Sequence, residues 1–261
     1  MKRVKRRRSL LRKTFRLLCL VIIGVTVGIV CYELIMLVRV ARLRSQNPVT
    51  TSLIEARARE AQEKGQTPTR AHLWVSLNRI SPHLQRAVIA GEDANFVNHR
   101  GFDYEAIQKA WDQALREASR EAKKSGDSES EWFPVLPEFS RGASTISQQL
   151  AKNLYLSTDR TFIRKGQEAV ITIFLERQLS KRRILEVYLN MIEWGDGIYG
   201  AEAAAQHHLG KSAASLTSAE AAYLAAMIPN PRTVYNARLN PKRVARRQKI
   251  IMRGMPHTKI P

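Results

Sequence analysis

One apolar stretch near the N-terminus stands apart from the rest of the chain. From Leu17 to Val38 the sequence reads LLCLVIIGVTVGIVCYELIMLV, and Glu33 is its one charged residue. A helix of this length spans a hydrocarbon layer of about 30 Å. The stretch is longer than the apolar region of a usual signal peptide, and no small-residue cleavage pattern follows it. We therefore expect a transmembrane helix over residues 17–38 rather than a cleaved signal.

Beyond this stretch, apolar residues recur at the three- and four-residue spacing of helix faces. The spacing predicts helices around Ile171–Gln178 and Ile184–Leu189, and an Ala-rich helix over Ala219–Met227 that ends before Pro229. No run shows the alternation of a convincing strand. The pattern therefore predicts a mostly α fold.

The same pattern divides the chain into segments. A polar helix is predicted over Leu53–Lys64, and Gly65–Pro68 breaks it. The roughly 215 residues beyond the span are enough for one packed core. We expect a basic tail over residues 1–16, the membrane span over 17–38, a stalk or linker over 39–69, one folded domain over 70–250 and a C-terminal tail over 251–261.

A polar and then Pro-rich segment interrupts this domain at residues 117–141. It carries the apolar side chains of Trp132, Phe133 and Val135. The composition predicts a mobile loop with an apolar tip, and we expect that tip to enter the interface of the membrane.

The positive charge of the chain is concentrated at its N-terminus. Of the net charge of +20, residues 1–44 contribute 12 basic and 1 acidic side chains, which leaves +9 for the rest. Nine Lys or Arg lie between Lys2 and Arg16, and this heavier positive flank predicts a cytoplasmic N-terminus and an exported domain. An exported domain meets anionic lipid or a diphosphate more often than nucleic acid, so no nucleic-acid partner is expected. Both cysteines, Cys19 and Cys31, lie in the span, which leaves the exported part without a disulfide or thiol ligands for zinc.

The first candidate for chemistry is the segment GEDANFVNHRGF, which contains Glu92 and Asp93. A helix places Leu84, Ala87 and Val88 on the same face as Glu92, so this carboxylate should point inward. A carboxylate directed toward a core has a raised pKa, as suits a general acid or base. Taken alone, a Glu at a helix end is more commonly turned to solvent.

A second acidic residue, Glu168, follows about 75 residues later, with a cationic stretch between the two. In RGASTISQQLAKNLYL, Thr145 and Gln148 have the spacing of a capping box, so a helix should begin there, and its amides could bind an anion. Four cations then precede Glu168, namely Lys152, Arg160, Arg164 and Lys165. One acid, Asp159, lies near them in the sequence. Such a cluster fits a diphosphate leaving group, whose negative charge develops as the bond to it breaks. The alternative interpretation is a solvated basic helix face.

Together these segments resemble the family 51 peptidoglycan glycosyltransferases, whose sequences share five ordered motifs. The first motif, EDxxFxxHxG, corresponds to Glu92, Asp93, Phe96, His99 and Gly101. The second, GxSTIxQQxxKN, corresponds to Gly142, Ser144, Thr145, Ile146, Gln148, Gln149, Lys152 and Asn153. The third, RKxxE, corresponds to Arg164, Lys165 and Glu168, and the fourth, KxxILExYLN, to Lys181, Ile184, Leu185, Glu186, Tyr188, Leu189 and Asn190. The fifth, rich in Gly and Ala, is met by Gly195, Gly200, Ala204 and Ala205, although His208, Leu209, Gly210 and Lys211 stand where the family often has Tyr-Phe-Gly-Lys.

The resemblance covers roughly residues 70–250 and implies a lysozyme-like glycosyltransferase domain with a smaller membrane-proximal lobe. It implies polymerisation of lipid II, the undecaprenyl-diphosphate-linked disaccharide-pentapeptide, into β-1,4-linked strands with inversion and release of undecaprenyl diphosphate. The implied partners are lipid II, the nascent glycan strand, the cytoplasmic membrane and proteins of cell-wall synthesis or division. No cofactor is required, although a divalent cation, Mg²⁺ or Mn²⁺, remains an option.

The resemblance also implies roles for individual residues. Glu92 would be the general base on the acceptor 4-hydroxyl, Lys152 and Arg160 would hold the diphosphate, and Glu168 would position the leaving group or a divalent cation. The full set of substrate-binding candidates is Ser144, Thr145, Gln148, Gln149, Lys152, Asn153, Arg160, Arg164 and Lys165. The expected supporting residues are Asp93, Phe96, His99 and Glu186. We expect His99 to hydrogen-bond the turn at Glu92 and Asp93 rather than to carry protons or bind a metal.

Two other functions stay open on the sequence. A non-catalytic, membrane-anchored scaffold with vestigial motifs is weakened because the candidate carboxylates and cations are all present. A lysozyme-like glycan-cleaving enzyme would have no use for a diphosphate-binding cluster. The chain ends at Pro261 without the SxxK, SxN and KTG motifs of a transpeptidase, so the monofunctional, membrane-anchored form of the family is expected.

Overall fold

The computed structural model of the protein describes residues 2–125, 144–157, 159 and 161–261. The first element, α1 (Lys2–Arg42), is one long helix. Its segment Lys13–Arg42 has a mean hydropathy of 2.5 and is long and apolar enough to cross a membrane. Large apolar side chains such as Leu17 and Val30 are exposed on it, as a lipid-facing helix requires. The N-terminal apolar helix is therefore a candidate single-pass anchor, and it extends beyond both ends of the stretch 17–38.

The predicted polar helix after the anchor is confirmed as α2 (Ser52–Glu63). Thr51 caps its start by accepting the Ile54 amide at 3.1 Å. The helix does not stand free: Ile54 is buried, and Arg57 makes a bidentate ion pair with Glu193 at 2.9 and 3.0 Å. The segment expected as a stalk is thus packed on the domain.

Two groups of helices, chosen from those that follow α2, form the core of the domain. The helices after α2 are α3 (Pro82–Glu92), α4 (Tyr104–Ser125), α5 (Ile146–Tyr155), α6 (Phe162–Gln178), α7 (Lys181–Met191), α8 (Ala201–Leu209), α9 (Ser218–Met227) and α10 (Pro241–Gly254). α3, α9 and α10 pack against one another, while α5 packs against α6 and α7. Leu84, Ala87 and Val88 are fully buried on one face of α3, because helical periodicity puts these apolar residues in a single stripe. The expectation of a mostly α fold is confirmed.

The structure contains short strands that the sequence pattern did not reveal. A small sheet is formed by β1 (Ala71–His72), β2 (Glu193–Gly195) and β3 (Ile198–Tyr199), in the order β1-β3-β2. β1 pairs parallel with β3, and β2 pairs antiparallel with β3. Strands of two or three residues are too short to show alternation, and every residue of β2 and β3 is buried, so periodicity could not reveal them. After β3, Gly200 has a φ of 84°, and a Cβ there would lie 2.6 Å from the Asn190 carbonyl oxygen.

Some of the expected features lie outside the described residues. These are the apolar loop tip at Trp132, Phe133 and Val135, the motif residue Gly142, and the diphosphate candidate Arg160.

Candidate active site

The carboxylate of Glu92 lies at the junction of the two helix groups. Glu92 is the last residue of α3, and its side chain is 7% exposed, so the inward orientation expected from the apolar stripe is confirmed. Its Oε2 accepts a hydrogen bond from Gln149 at 2.9 Å and its Oε1 accepts one from Arg247 at 2.8 Å. Burial raises the pKa of Glu92, and Arg247, Gln149 and Lys152 offset part of that rise. A carboxylate with a raised pKa suits a general acid or base.

The hydroxyl of Tyr188 fixes the side chain that binds Glu92. Tyr188, on α7, donates to Gln149 Oε1 at 2.8 Å, which turns the Gln149 amide nitrogen toward Glu92. Burial raises the pKa of Tyr188 well above its ordinary value, and the nearby Glu92 and Asp93 raise it further. Tyr188 therefore keeps its proton and remains the donor. The sequence analysis identified Tyr188 only as a residue of the fourth motif, whereas the structure connects it to the carboxylate through one side chain.

Asp93 joins the first motif to the second. It accepts hydrogen bonds from His99 Nε2 at 2.9 and 3.1 Å and from the Ile146 amide, at the start of α5, at 2.9 Å. His99 Nδ1 accepts the Gly101 amide at 3.1 Å and so carries no proton, which leaves the ring proton on Nε2 for Asp93. Because both ring nitrogens of His99 have partners, the residue holds the turn, as expected, and is not presented to a metal or a substrate.

The start of α5 is a capping box, as its spacing predicted. Thr145 Oγ1 accepts the Gln148 amide at 3.2 Å, and Gln148 Oε1 accepts the Thr145 amide at 2.9 Å. Thr145 also donates to the Gly101 carbonyl at 2.7 Å. Asp93 and Thr145 occupy the amides of Ile146 and Gln148, so these two donors are not free to bind an anion of the substrate. Thr145 and Gln148 are buried, so we assign them to positioning α5 rather than to contact with a ligand.

The second carboxylate is held by the cations of its own motif. Glu168, on α6, is 3% exposed. Its Oε2 accepts a hydrogen bond from Arg164 at 2.9 Å, and its Oε1 pairs with Lys165. Arg164 Nε is buried and has no hydrogen-bond partner among the described residues. Glu168 therefore fixes two cations side by side, and one of them keeps an unused donor.

Lys152 connects the two carboxylates electrostatically. It lies on α5, one turn after Gln149, and its side chain reaches solvent. The pKa of Lys152 is lowered, and the largest cause is the crowding of its ammonium by protein atoms. Glu168 and Glu92 raise this pKa, whereas Arg164 and Lys165 lower it. The charge of Lys152 thus acts on both carboxylates, so Lys152 lies near each of them.

The other candidates occupy supporting or open positions. Ser144 is exposed and Asn153 is half-buried on α5. Phe96 is fully buried, with the Lys181 ammonium 4.4 Å from the centre of its ring. Glu186 accepts hydrogen bonds from the Leu77 amide at 3.1 Å and from Arg183 at 2.7 Å.

A divalent cation does not fit Glu168 as the structure holds it. Both of its oxygens already pair with cationic side chains, and Lys152 adds a third positive charge nearby. A divalent cation there would meet three positive groups and compete for the same two oxygens. Among the described residues, no group of three or more His, Cys, Asp or Glu side chains converges as a metal site.

The sequence analysis did not identify one residue of the site, Arg247. It lies on α10, a helix with six Lys or Arg and no acid, where composition alone distinguishes none of the cations. The signal that could have found it is helical phase, since Val244, Arg247 and Ile251 share one face and the two apolar residues are buried. A cation on the buried face of an amphipathic helix needs a partner there.

Comparison with known proteins shows which family the chain belongs to. The sequence model of the family described as Transglycosylase matches residues 59–128 and 134–256, more than half of the chain. The chain belongs to this transglycosylase family. It is 45% identical over 230 residues to the biosynthetic peptidoglycan transglycosylase of Nitrosomonas europaea, covering 88% of this chain and 86% of that protein. It is 44% identical over 233 residues to the protein of the same name from Methylobacillus flagellatus, covering 89% and 93% of the two chains. The resemblance drawn from the motifs is confirmed, and the helical domain is consistent with the expected lysozyme-like fold.

Proposed function

We propose that this protein is a peptidoglycan glycosyltransferase that polymerises lipid II into β-1,4-linked glycan strands and releases undecaprenyl diphosphate. The family and the similar proteins confirm the enzyme class that the motifs predicted. The observation that carries the proposal is the pairing of two unlike sites. A buried carboxylate with a raised pKa, Glu92, and the cations fixed by Glu168 all lie within electrostatic reach of Lys152.

The chemical step follows from this arrangement. Glu92 removes the proton from the 4-hydroxyl of the acceptor sugar as that oxygen bonds to the anomeric carbon of the donor. The bond from the anomeric carbon to the diphosphate breaks, and its electron pair leaves with the diphosphate. Attack opposite to the leaving group inverts the anomeric centre. Lys152, Arg164 and Lys165 neutralise the charge that develops on the diphosphate, and we assign Arg160 to the same role by its place in the motif.

Glu168 acts through its neighbours in this proposal. Arg164 and Lys165 lie four and three residues before Glu168, within one helical turn. Each of the two carboxylate oxygens therefore pairs with one of these cations. Without the carboxylate, two like charges would repel each other and separate. Glu168 is therefore a positioning residue, and the cations contact the substrate.

The anchor gives the reaction its place. The heavier positive flank before the span supports a cytoplasmic N-terminus and a catalytic domain outside the cytoplasmic membrane. A substrate held in the bilayer by a polyprenyl chain meets an enzyme confined to the same surface at high effective concentration. Recruitment by other proteins of cell-wall synthesis or division also belongs to the proposal.

The test is the purified full-length protein mixed with fluorescent lipid II, with the products separated on a gel. We expect a ladder of polymer from the wild type and a loss of about 100-fold or more from Glu92→Gln, which keeps shape but removes the base. Glu105→Gln is the matched control, because the Glu105 side chain is 82% exposed on α4. Unchanged substrate with wild-type protein would favour a scaffold, and cleavage of preformed glycan would favour a lysozyme-like enzyme.

A further inference from the structure

Arg247 reaches the catalytic carboxylate from outside the five motifs. Its Nη2 donates to Glu92 Oε1 and to the Gly91 carbonyl oxygen, each at 2.8 Å. Its guanidinium lies 5.5 Å from the centre of the Tyr235 ring. Three groups therefore define the direction of this side chain, which is 24% exposed.

The contact depends on a close approach of α10 to α3. Gly91 has no side chain, and a Cβ there would lie 3.0 Å from Ile251 Cδ1 and 3.7 Å from Arg247 Nη2. Ile251 and Val244 are buried on the same face of α10. The packing of these apolar residues places Arg247 beside Glu92, so the contact is built into the core and is not a flexible surface pair.

We propose that Arg247 is a positioning residue that keeps Glu92 ionised and directs the proton of the acceptor hydroxyl to Oε2. This inference rests on the proposed function. An oxygen bound to a guanidinium is a poorer proton acceptor than one bound to a neutral amide, and Glu92 Oε1 has the first kind of partner while Oε2 has the second. Each carboxylate oxygen accepts more than one hydrogen bond, so Oε2 retains room for the substrate hydroxyl.

The groups around Glu92 identify Arg247 as the main source of this effect. From α5, Lys152 acts on Glu92 without a hydrogen bond, and from α7, Tyr188 stays protonated. From α9, Glu220 is turned to Lys211 and Thr217, and in the short helix Met255–His257 beside α3 the side chain of His257 is exposed. Arg247 is thus the cation in contact with the carboxylate among the described residues, and its loss would leave burial to favour the protonated, inactive acid.

The experiment measures kcat/KM for lipid II polymerisation by the full-length protein from pH 5.5 to 9.5. In Arg247→Gln the acid limb of the profile should move to higher pH by about one unit, which lowers kcat/KM by up to about tenfold at the acid end of the range. At pH 9 this variant should return to within about threefold of the wild type, because Glu92 is then ionised in both. Arg247→Lys keeps a charge and should show a smaller shift. Arg246→Gln is the matched control: it removes the same charge from an exposed neighbour and should leave the profile unmoved.

A loss of equal size at every pH, with no movement of the limb, would overturn the proposal. The profile separates this effect from instability, because a destabilised protein loses activity across the whole range. If Arg247→Gln does not fold, Arg247→Lys decides alone, since an unshifted limb together with a large uniform loss would rule out control of ionisation. If the wild type does not polymerise lipid II at all, the proposed function has failed first, and the two failures are distinguished.

Discussion

Glu92 and Glu168 are both buried carboxylates, yet their partners give them opposite tasks. Glu92 contacts one cation and one neutral amide, and burial raises its pKa. Glu168 contacts two cations, one through each oxygen. A carboxylate with partly compensated burial can take a proton, whereas one held by two cations serves to fix them in place. The difference supports the proposal that Glu92 is the base, without reference to any motif.

The raised pKa of Glu92 also has a consequence for stability. The native protein holds this proton to higher pH than the unfolded chain, so ionising Glu92 costs stability as the pH rises above about 4.5, the ordinary value for a Glu. Gln does not ionise and escapes this cost. We predict that the Tm of Glu92→Gln increases relative to that of the wild type between pH 4.5 and neutral pH, as measured by thermal unfolding in matched buffers. A difference in Tm that stays constant with pH would contradict the raised pKa.

Replacing Glu168 should damage both the fold and the reaction. Glu168→Gln leaves Arg164 and Lys165 without their carboxylate, and Arg164 is only 15% exposed. We predict a loss of about 2 kcal/mol in the free energy of unfolding and about 100-fold in kcat/KM for lipid II. Chemical denaturation and the polymerisation assay measure the two effects. Glu105→Gln breaks an exposed pair with Lys109 on α4 and should change neither, so comparable losses in both variants would remove the special role of Glu168.

At the scale of elements, local patterns were predicted from the sequence and long-range contacts were not. The spacing of Thr145 and Gln148 predicted the start of α5, because a capping box involves residues three positions apart. The contact from Arg247 to Glu92 joins residues 155 positions apart, and nothing in either segment specifies the other. Between these cases stands Glu168, whose partners lie within one helical turn. The same spacing rule could have identified them as its ion pairs rather than as ligands for the substrate alone.

The start of α5 offers a test that separates stability from positioning. Thr145→Val keeps the shape of the side chain but removes the acceptor for the Gln148 amide and the donor to Gly101. We predict a loss of about 1 to 2 kcal/mol in the free energy of unfolding, measured by chemical denaturation. Because α5 carries Gln149 and Lys152, activity at a temperature where the protein stays folded should also fall, by about tenfold.

The matched control for this change is the other capping box. Thr217 and Glu220 cap α9 in the same way, and α9 carries none of the groups that contact Glu92 or Glu168. Thr217→Val should therefore lower stability while leaving kcat/KM near the wild-type value. If the two variants lose activity equally, the effect of Thr145 is one of general stability.

At the scale of the whole molecule, the anchor is part of the packed structure. Met36, Val40 and Leu43, near the end of α1, are buried, and α1 packs against α6. Arg183 on α7 donates to the Leu43 carbonyl at 2.7 Å and to the Gln46 carbonyl at 3.0 Å. The domain is thus attached to the last turns of the anchor helix by apolar packing and by hydrogen bonds, and α6, which carries Glu168, is one of the elements involved.

Two truncations should separate anchoring from packing. Deletion of residues 1–31 removes most of the span but keeps Met36, Val40 and Leu43, whereas deletion of residues 1–44 removes them. We predict that the longer deletion is the less stable by at least about 3 kcal/mol, since three buried apolar side chains are lost, and that its Tm is lower by at least about 6 °C. Both proteins should polymerise lipid II in detergent, because every motif is retained. Equal Tm values would show that these turns contribute nothing to the fold.

Membrane binding should change in a different way from stability. Without the span, the 1–44 deletion keeps a net charge of +9 and the apolar side chains of Trp132 and Phe133. Electrostatic attraction to anionic lipid is screened over a Debye length of about 10 Å at 0.1 M salt, while insertion of apolar side chains is not. We predict that this protein binds liposomes containing anionic lipid in a salt-sensitive way, and that it binds neutral liposomes weakly. Changing both Trp132 and Phe133 to Ser should reduce the binding that remains at high salt. Cosedimentation over a range of salt concentrations measures all three, and binding that neither salt nor the double substitution alters would mean that another surface of the domain contacts the membrane.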